Sequence, residues 1–255
     1  MKHGDFTGLA EDYTKYRPDY SAAVLDAILG LLKKPAIAAD VVDVGAGTGI
    51  WTRMLAGRGF RTVTAVEPNE DMRSKGRAHP DNGSVKWHAG AGENTSLADG
   101  AADLVSMASS FHWVNFDKGI TELTRVLRAG GCFVAIWNPR HLENSPLLLE
   151  IEAHLSILRT DITRVSSGHS GITKVLTQKL EACPQFKDVL YLEGKHTLEF
   201  SPERYLGAWR SVNDLQVQLG PNKFNAFLDY VEKKVSGLKT IPATYLTRAW
   251  VARKS

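Results

Sequence analysis

Apolar residues come in short continuous runs through the middle of the chain. VVDVG at 41–45 is β-branched and closed by glycine, which predicts a buried strand over 39–45. IWTRMLAGRG then returns apolar residues at helical spacing and predicts a helix over 50–59 that ends near glycine. The alternation repeats. RTVTAVEPN predicts a strand over 61–69 stopped by Pro68, residues 70–78 a helix, SVKWHAG a strand over 84–90, and AADLVSMASSF a strand over 101–111. FDKGITELTRVLRAGG predicts an amphipathic helix over 116–131 with a glycine stop, followed by the strand CFVAIWN at 132–138. Ahead of all of these, SAAVLDAILGLLK (21–33) has helical periodicity, with Ser21 placed to cap it. Strands that are apolar throughout and alternate with helices predict an α/β fold, with a parallel, doubly wound sheet covered on both faces.

The regularity stops at PRHLENSPLLLE. Residues 139–183 read as mostly helical, and FKDVLYLEGKHTLEF (186–200) returns to β character. SPERYLGAWRSV (201–212) and NKFNAFLDYVEKKVSG (222–237) predict helices, and ATYLTRAWVARK (243–254) alternates as a final strand. The second half therefore supplies two strands, expected antiparallel to each other, with helical excursions.

Ligands of an open α/β sheet bind beyond the carboxyl ends of its strands. The glycine loop puts Gly45, Gly47 and Gly49 there, where bare backbone lets a ligand approach and frees amides to bond it. Glu67 ends the next strand about 20 residues on, the place from which a carboxylate accepts from both hydroxyls of a ribose. The order strand, glycine loop, helix, strand, acid points to an adenosine-type ligand. A dinucleotide fingerprint wants Gly-x-Gly-x-x-Gly, and Ile50 follows Gly49 where that pattern differs. Asp43, two residues before the first glycine, is placed to meet a ligand's ammonium group.

These residues resemble a known family. VVDVGAGTG followed by VEPN is similar to motifs I and II of the class I S-adenosylmethionine-dependent methyltransferases. AGENTSLADGAADLV resembles that family's segment at the adenine, SSFHWV the stretch after its fourth strand, and LTRVLRAGGCFVAIW the next helix and strand. FTGLAEDYTKYRPDY resembles the opening of the small-molecule subgroup, methyltransferase type 11, that includes trans-aconitate methyltransferases. The likeness covers residues 6–138. Where the subgroup often has Leu-Pro after its Ala-Glu, this chain has Gly92-Glu93-Asn94-Thr95.

The resemblance implies a Rossmann-like, seven-stranded methyltransferase sheet in one domain over 1–255. It adds an N-terminal arm (1–20) and helical lid insertions (139–183 and 201–240). It implies S-adenosylmethionine as cofactor, with Gly45, Ala46 and Gly47 against its amino-acid portion and Glu67 on its ribose. Pro68 and Met72 would pack on the adenine, Gly92 and Glu93 would meet its edge, and Ser109 and Phe111 would line the mouth of strand four. Tyr13 and Arg17 would fold over the site. The expected acceptor is a small molecule.

Methyl transfer from a sulfonium needs alignment and dryness more than it needs a base. If a base is used, His112 is the candidate, since an imidazole with an ordinary pKa of about 6.5 collects protons near neutrality. His169, in SSGHSG, reaches the site only if that stretch acts as a lid. Trp113 supplies an aromatic wall suited to a sulfonium or a flat substrate. Arg17, Arg140 and Arg210 are the candidates by position for holding a carboxylate acceptor. The alternatives are a nicotinamide-dependent oxidoreductase and a non-catalytic protein that binds S-adenosylmethionine.

Bulk properties narrow the classes. The chain has 255 residues with 31 basic against 28 acidic and a net charge of +3, which gives no electrostatic case for nucleic acid or an anionic membrane. Asn138-Pro139-Arg140-His141 only begins like a base-flipping motif. Cys132 and Cys183 lack metal-ligand spacing, and Cys132, inside GCFVAIW, reads as a core residue. The opening MKHGDFTGLAEDY has no apolar h-region, and no apolar run of about 18 residues occurs. The expectation is a soluble cytoplasmic protein, monomeric or homodimeric, without a metal.

Overall fold

The computed structural model describes residues 6–143, 145–163 and 171–255. Seven strands form one sheet: β1 (Asp40–Val44), β2 (Thr62–Val66), β3 (Lys86–His88), β4 (Ala102–Ala108), β5 (Leu127–Trp137), β6 (Phe186–Phe200) and β7 (Ile241–Lys254). Their order across the sheet is β3-β2-β1-β4-β5-β7-β6. The first five are parallel, and β7 runs antiparallel to both of its neighbours. β7 inserts between β5 and β6, so the expected antiparallel pair closes the sheet with the last strand inside the edge. Every residue of β1 is buried, in keeping with a strand covered on both faces.

Helices α2 (Ala22–Gly30), α3 (Ile50–Ala56), α4 (Glu70–Ala78) and α5 (Phe116–Val126) accompany the parallel half. Ser21 Oγ accepts from the Val24 amide and Asn69 Oδ1 from the Met72 amide, so both helix starts carry the cap their sequence provides. Adjacent residues of β1 serve opposite faces. Val42 and Val44 pack with Phe111, Leu123 and Phe133, while Val41 packs with Trp51, Leu55, Leu104 and Val134.

A third cluster lies in the second half. It joins α6 (Pro146–Leu158), α8 (Pro202–Arg210) and α9 (Asn213–Val235) through Ile151, Trp209, Leu215 and Phe227. Gly220 and Pro221 kink α9. Between α6 and α8 lies α7 (Leu176–Glu181), and α1 (Ala10–Tyr16) precedes Pro18 in the arm.

One predicted boundary is corrected. The helix expected over 116–131 stops at Val126, and Leu127–Trp137 is strand. Leu127 pairs with Ala102, and the register shifts before Leu104 pairs with Cys132, so Gly130, at φ +74°, and Gly131 absorb the irregularity instead of stopping a helix.

Candidate active site

The chain reverses its direction across the sheet at β1 and β4, and a cleft of about 370 Å³ opens there, at the carboxyl ends of the strands. Its volume lies in the range of small-molecule sites. The loops after β1, β2, β4 and β5 form its floor and walls, and the arm roofs it with Tyr13 and Arg17.

The glycine loop is shaped by the chain's own packing. Gly45 sits at φ +68°, and a Cβ there would stand 2.6 Å from Ser110 Cβ. Its amides are not free for a ligand, contrary to the sequence expectation. Gly45 N and Ala46 N both donate to Val66 O, at 2.8 and 3.1 Å, and Gly47 N donates to Glu67 Oε2 at 2.8 Å. The loop therefore offers bare backbone surface to the cleft.

Glu67 is buried with two backbone donors on its carboxylate, Gly47 N on Oε2 and Asn69 N at 2.9 Å on Oε1. A carboxylate offers about four lone-pair positions, so acceptor capacity remains on each oxygen. Burial raises its pKa, against the opposing pull of those two amides. Pro68 and Met72 line the cleft beside it, and Gly92 and Glu93 line it opposite. A Cβ on Gly92 would stand 2.5 Å from Val114. Glu93 Oε1 accepts from Asn115 N at 2.8 Å, which ties this loop to the start of α5. A second tie follows. Glu122 Oε1 accepts from both Thr95 N and Thr95 Oγ1, at 2.8 and 2.6 Å, and Arg125 beside Glu122 holds its carboxyl down at about 2.

Asp43 does not line the cleft. It is fully buried; Oδ2 accepts from Thr52 Oγ1 at 2.6 Å and Oδ1 from Ser106 Oγ at 3.1 Å, while Ser106 Oγ also accepts from Trp51 Nε1. Burial pushes its carboxyl up to about 7. Direct contact with a ligand ammonium is replaced by a place beneath the floor.

At the other end, Ser109 lines the cleft at φ +53°, a left-handed conformation uncommon for serine and of the kind that gathers at functional sites. Ser109 Oγ lies 2.9 Å from Tyr20 Oη, whose ring also lines the cleft, and burial pushes that phenol far above its ordinary value. Arg17 stays in place through Nε to Ser211 Oγ at 2.7 Å and Nη2 to Ser211 O at 3.1 Å.

Of the residues singled out from sequence, Tyr13, Arg17, Gly45, Ala46, Gly47, Glu67, Pro68, Met72, Gly92, Glu93, Ser109 and Trp113 converge on the cleft. Phe111 does not; it is core, edge-on to Phe116 and Phe133. His112 sits behind Trp113, their ring centroids 4.4 Å apart. Arg140 does not line the cleft either; its guanidinium is 3.8 Å from the Trp209 ring centre on α8, and an antiparallel bridge with Tyr245 turns the chain that way. His169 lies outside the described residues. Sequence reading missed Tyr20, Ser110 and Asn138. Asn138 was findable, since it follows β5 as Glu67 follows β2; nothing local marked Tyr20.

The sheet order and the switch-point cleft define the class I methyltransferase fold. Residues 42–135 match the family model for a methyltransferase domain. An uncharacterized methyltransferase of Mycobacterium tuberculosis is 38% identical over 129 residues, 50% of this chain and 49% of that protein. One from Schizosaccharomyces pombe is 24% identical over 236 residues, 91% and 86% of the two chains. The chain spans about half the length of the first of these curated relatives. Among solved structures, a candidate type II methyltransferase from Anaeromyxobacter dehalogenans superposes with a TM-score of 0.68 at 21% identity, covering 93% of this chain and 98% of that one. The fold is that of the class I methyltransferases, and residues 42–135 are similar to a methyltransferase domain.

Proposed function

We propose that the protein transfers a methyl group from S-adenosylmethionine to a small-molecule acceptor. The observation that carries this reading is the convergence on one cleft of the glycine loop, the half-satisfied carboxylate of Glu67 and an aromatic, arginine-bearing arm. The residues fit the cofactor. Glu67 keeps lone pairs for two ribose hydroxyls, Pro68, Met72 and Val114 provide an apolar slot for the adenine, and the bare loop admits the amino-acid end. When bound, the cofactor supplies an activated methyl; the chain supplies alignment and exclusion of water.

The acceptor end of the cleft carries Arg17, Tyr20, Ser109, Trp113 and Asn138. No histidine or carboxylate stands among these five side chains. The reading therefore favours an acceptor that needs no deprotonation before attack, such as a carboxylate or an unprotonated amine. A relative 34% identical over 128 residues is a malonyl-[acyl-carrier protein] O-methyltransferase of Geobacter sulfurreducens, which supports an oxygen acceptor.

The test is calorimetry with S-adenosylhomocysteine and with NAD, followed by a screen of metabolite extract for addition of one methyl by mass. S-adenosylhomocysteine should bind and NAD should not. Glu67→Ala should weaken binding about tenfold or more, since a charge-assisted hydrogen bond contributes about 1.5–3 kcal/mol. Preference for NAD would overturn the reading, and binding without any methylated product would support the non-catalytic alternative.

A further inference from the structure

Tyr20 and Ser109 both line the cleft, and each is fixed in place by its own anchors. Ser109 follows β4; its N–H donates to Ile136 O of β5 at 2.7 Å, and its backbone is left-handed at φ +53°. A serine keeps that conformation only where its surroundings impose it. Tyr20 is held from several sides. Its N–H donates to Met54 Sδ at 3.3 Å, and its ring meets Trp51 edge-on at 5.2 Å. Its neighbours in the chain are tied as well: Asp19 O accepts from Asn138 Nδ2 at 2.9 Å, and Ser21 N donates to Thr247 Oγ1 at 2.8 Å. These anchors leave the Tyr20 and Ser109 hydroxyls 2.9 Å apart.

Each hydroxyl carries one proton. Only one of the two protons can lie between the oxygens, so the other is left over: on Ser109 if Tyr20 donates, on Tyr20 if Ser109 donates. Neither hydroxyl has a second hydrogen bond among the described residues. Burial raises the pKa of the phenol, so the pair keeps both protons at neutral pH. Arg17 shares this wall of the cleft. Its hydrogen bonds go to Ser211 Oγ and O, and it makes no ion pair with a carboxylate among the described residues. A spare O–H beside a positive charge suits an oxygen lone pair better than an ammonium. The strand order sets the place. β4 and β5 lie on the other side of β1 from β2, so Ser109 stands across the glycine loop from Glu67.

We propose that Tyr20 and Ser109 form a specificity-determining pair, whose left-over O–H donates to a carbonyl or carboxylate oxygen of the methyl acceptor. This rests on the methyltransferase reading for the identity of the bound molecule, since a ribose on Glu67 and an amino-acid end over the glycine loop leave the Ser109 end for the acceptor. The pair takes no proton. It selects and orients, and its anchors on β5, β7 and α3 mean that little has to be ordered when the acceptor arrives. Because the spare proton can reside on either oxygen, loss of one hydroxyl still leaves one donor, and loss of both leaves none.

The test is an amide NMR titration of nitrogen-15-labelled protein, saturated with S-adenosylhomocysteine, by butyrate, butanone and butylammonium. Butyrate and butanone should shift the Ser109 and Ser110 amides saturably, and butylammonium should bind more weakly than either. Tyr20→Phe keeps the ring against Trp51, and Ser109→Ala keeps the Cβ; each should weaken butyrate by about threefold, whereas the double variant should weaken it by about tenfold or more, as expected for loss of the last neutral donor. Ser109→Gly, which relaxes the left-handed backbone, should repeat Ser109→Ala. Affinity for S-adenosylhomocysteine, read by calorimetry, should stay at the wild-type value throughout. A double variant that binds butyrate as well as wild type, no response to any of the three probes, or a preference for butylammonium would overturn the proposal. So would variants that lose S-adenosylhomocysteine and keep butyrate, since the pair would then belong to the cofactor. If wild type itself does not bind S-adenosylhomocysteine, the methyltransferase reading fails, and the same titration of the free protein still decides whether the pair is an oxygen subsite.

Discussion

Asp43 is a carboxyl group with two hydroxyls as donors and no exposed surface, two residues from the glycine loop. The folded protein holds its proton up to about pH 7, whereas the unfolded chain releases it near 3.8. Between those values the native state binds more protons, so stability falls as pH rises from about 4 to about 7, then levels. The full difference corresponds to on the order of 4 kcal/mol at 1.36 kcal/mol per pH unit. Asp43→Asn keeps the shape and removes the titration. The stability of the variant relative to wild type should therefore rise across that window, as read from urea midpoints at pH 4.5 and pH 8. A difference independent of pH would show that Asp43 does not titrate there. At this scale the sequence was partly legible. Glu67 announced itself by following a strand at the right spacing. Asp43 has the same chemistry and also sits at a strand end, but the burial that decides its role comes from Thr52 and Ser106, 9 and 63 residues away.

At the scale of elements, α1 is a strap between the two halves of the cleft wall. Gly8 N donates to Asp71 Oδ2 at the head of α4, while Tyr16 Oη donates to Glu203 and Arg17 to Ser211 at the two ends of α8. The exposed Lys15–Glu203 ion pair adds little. Close packing counts for more: a Cβ on Gly207 of α8 would stand 2.2 Å from the Tyr16 ring. Gly207→Ala should push α1 off α8, with a cost of about 1–3 kcal/mol in thermal or urea unfolding. Affinity for S-adenosylhomocysteine should fall with it, because Tyr13 and Arg17 ride on the same segment. Unaltered affinity in a destabilised variant would mean that the roof is dispensable for the cofactor. The strap's sequence showed its aromatics and its Pro18 stop, but not its partner. The run LTRVLRAGG shows the converse failure. Its apolar spacing suits a helix, yet pairing of Leu127 with Ala102 draws it into β5, since ladder bonds outweigh a local preference of a few tenths of a kcal/mol per residue.

At the scale of the whole molecule, one end of the cleft is built on the loops of the parallel half and the other is lined by the arm and by Asn138 after β5. Residues 6–20 should exchange amide hydrogens more slowly once S-adenosylhomocysteine is bound, as measured by hydrogen exchange with mass detection. Equal protection in both states would make the arm a fixed strap, and full activity after deletion of 1–20 would take it out of the site. Among the described residues no helix is long and apolar enough to cross a membrane. The sequence by itself determined the parallel strands, the glycine loop, Glu67 and the existence of two late strands. Each of these is written in local periodicity and punctuation: apolar runs, glycine at tight turns, proline at strand ends. Tertiary structure alone decided that β7 lies between β5 and β6, that Phe111 turns to the core while Trp113 turns to the cleft, that Arg140 goes to Trp209, and that Trp137 donates to His112. Those outcomes depend on groups distant in the chain. A residue's own type and its neighbours state what it can bond, whereas only the packed fold brings the partner within reach.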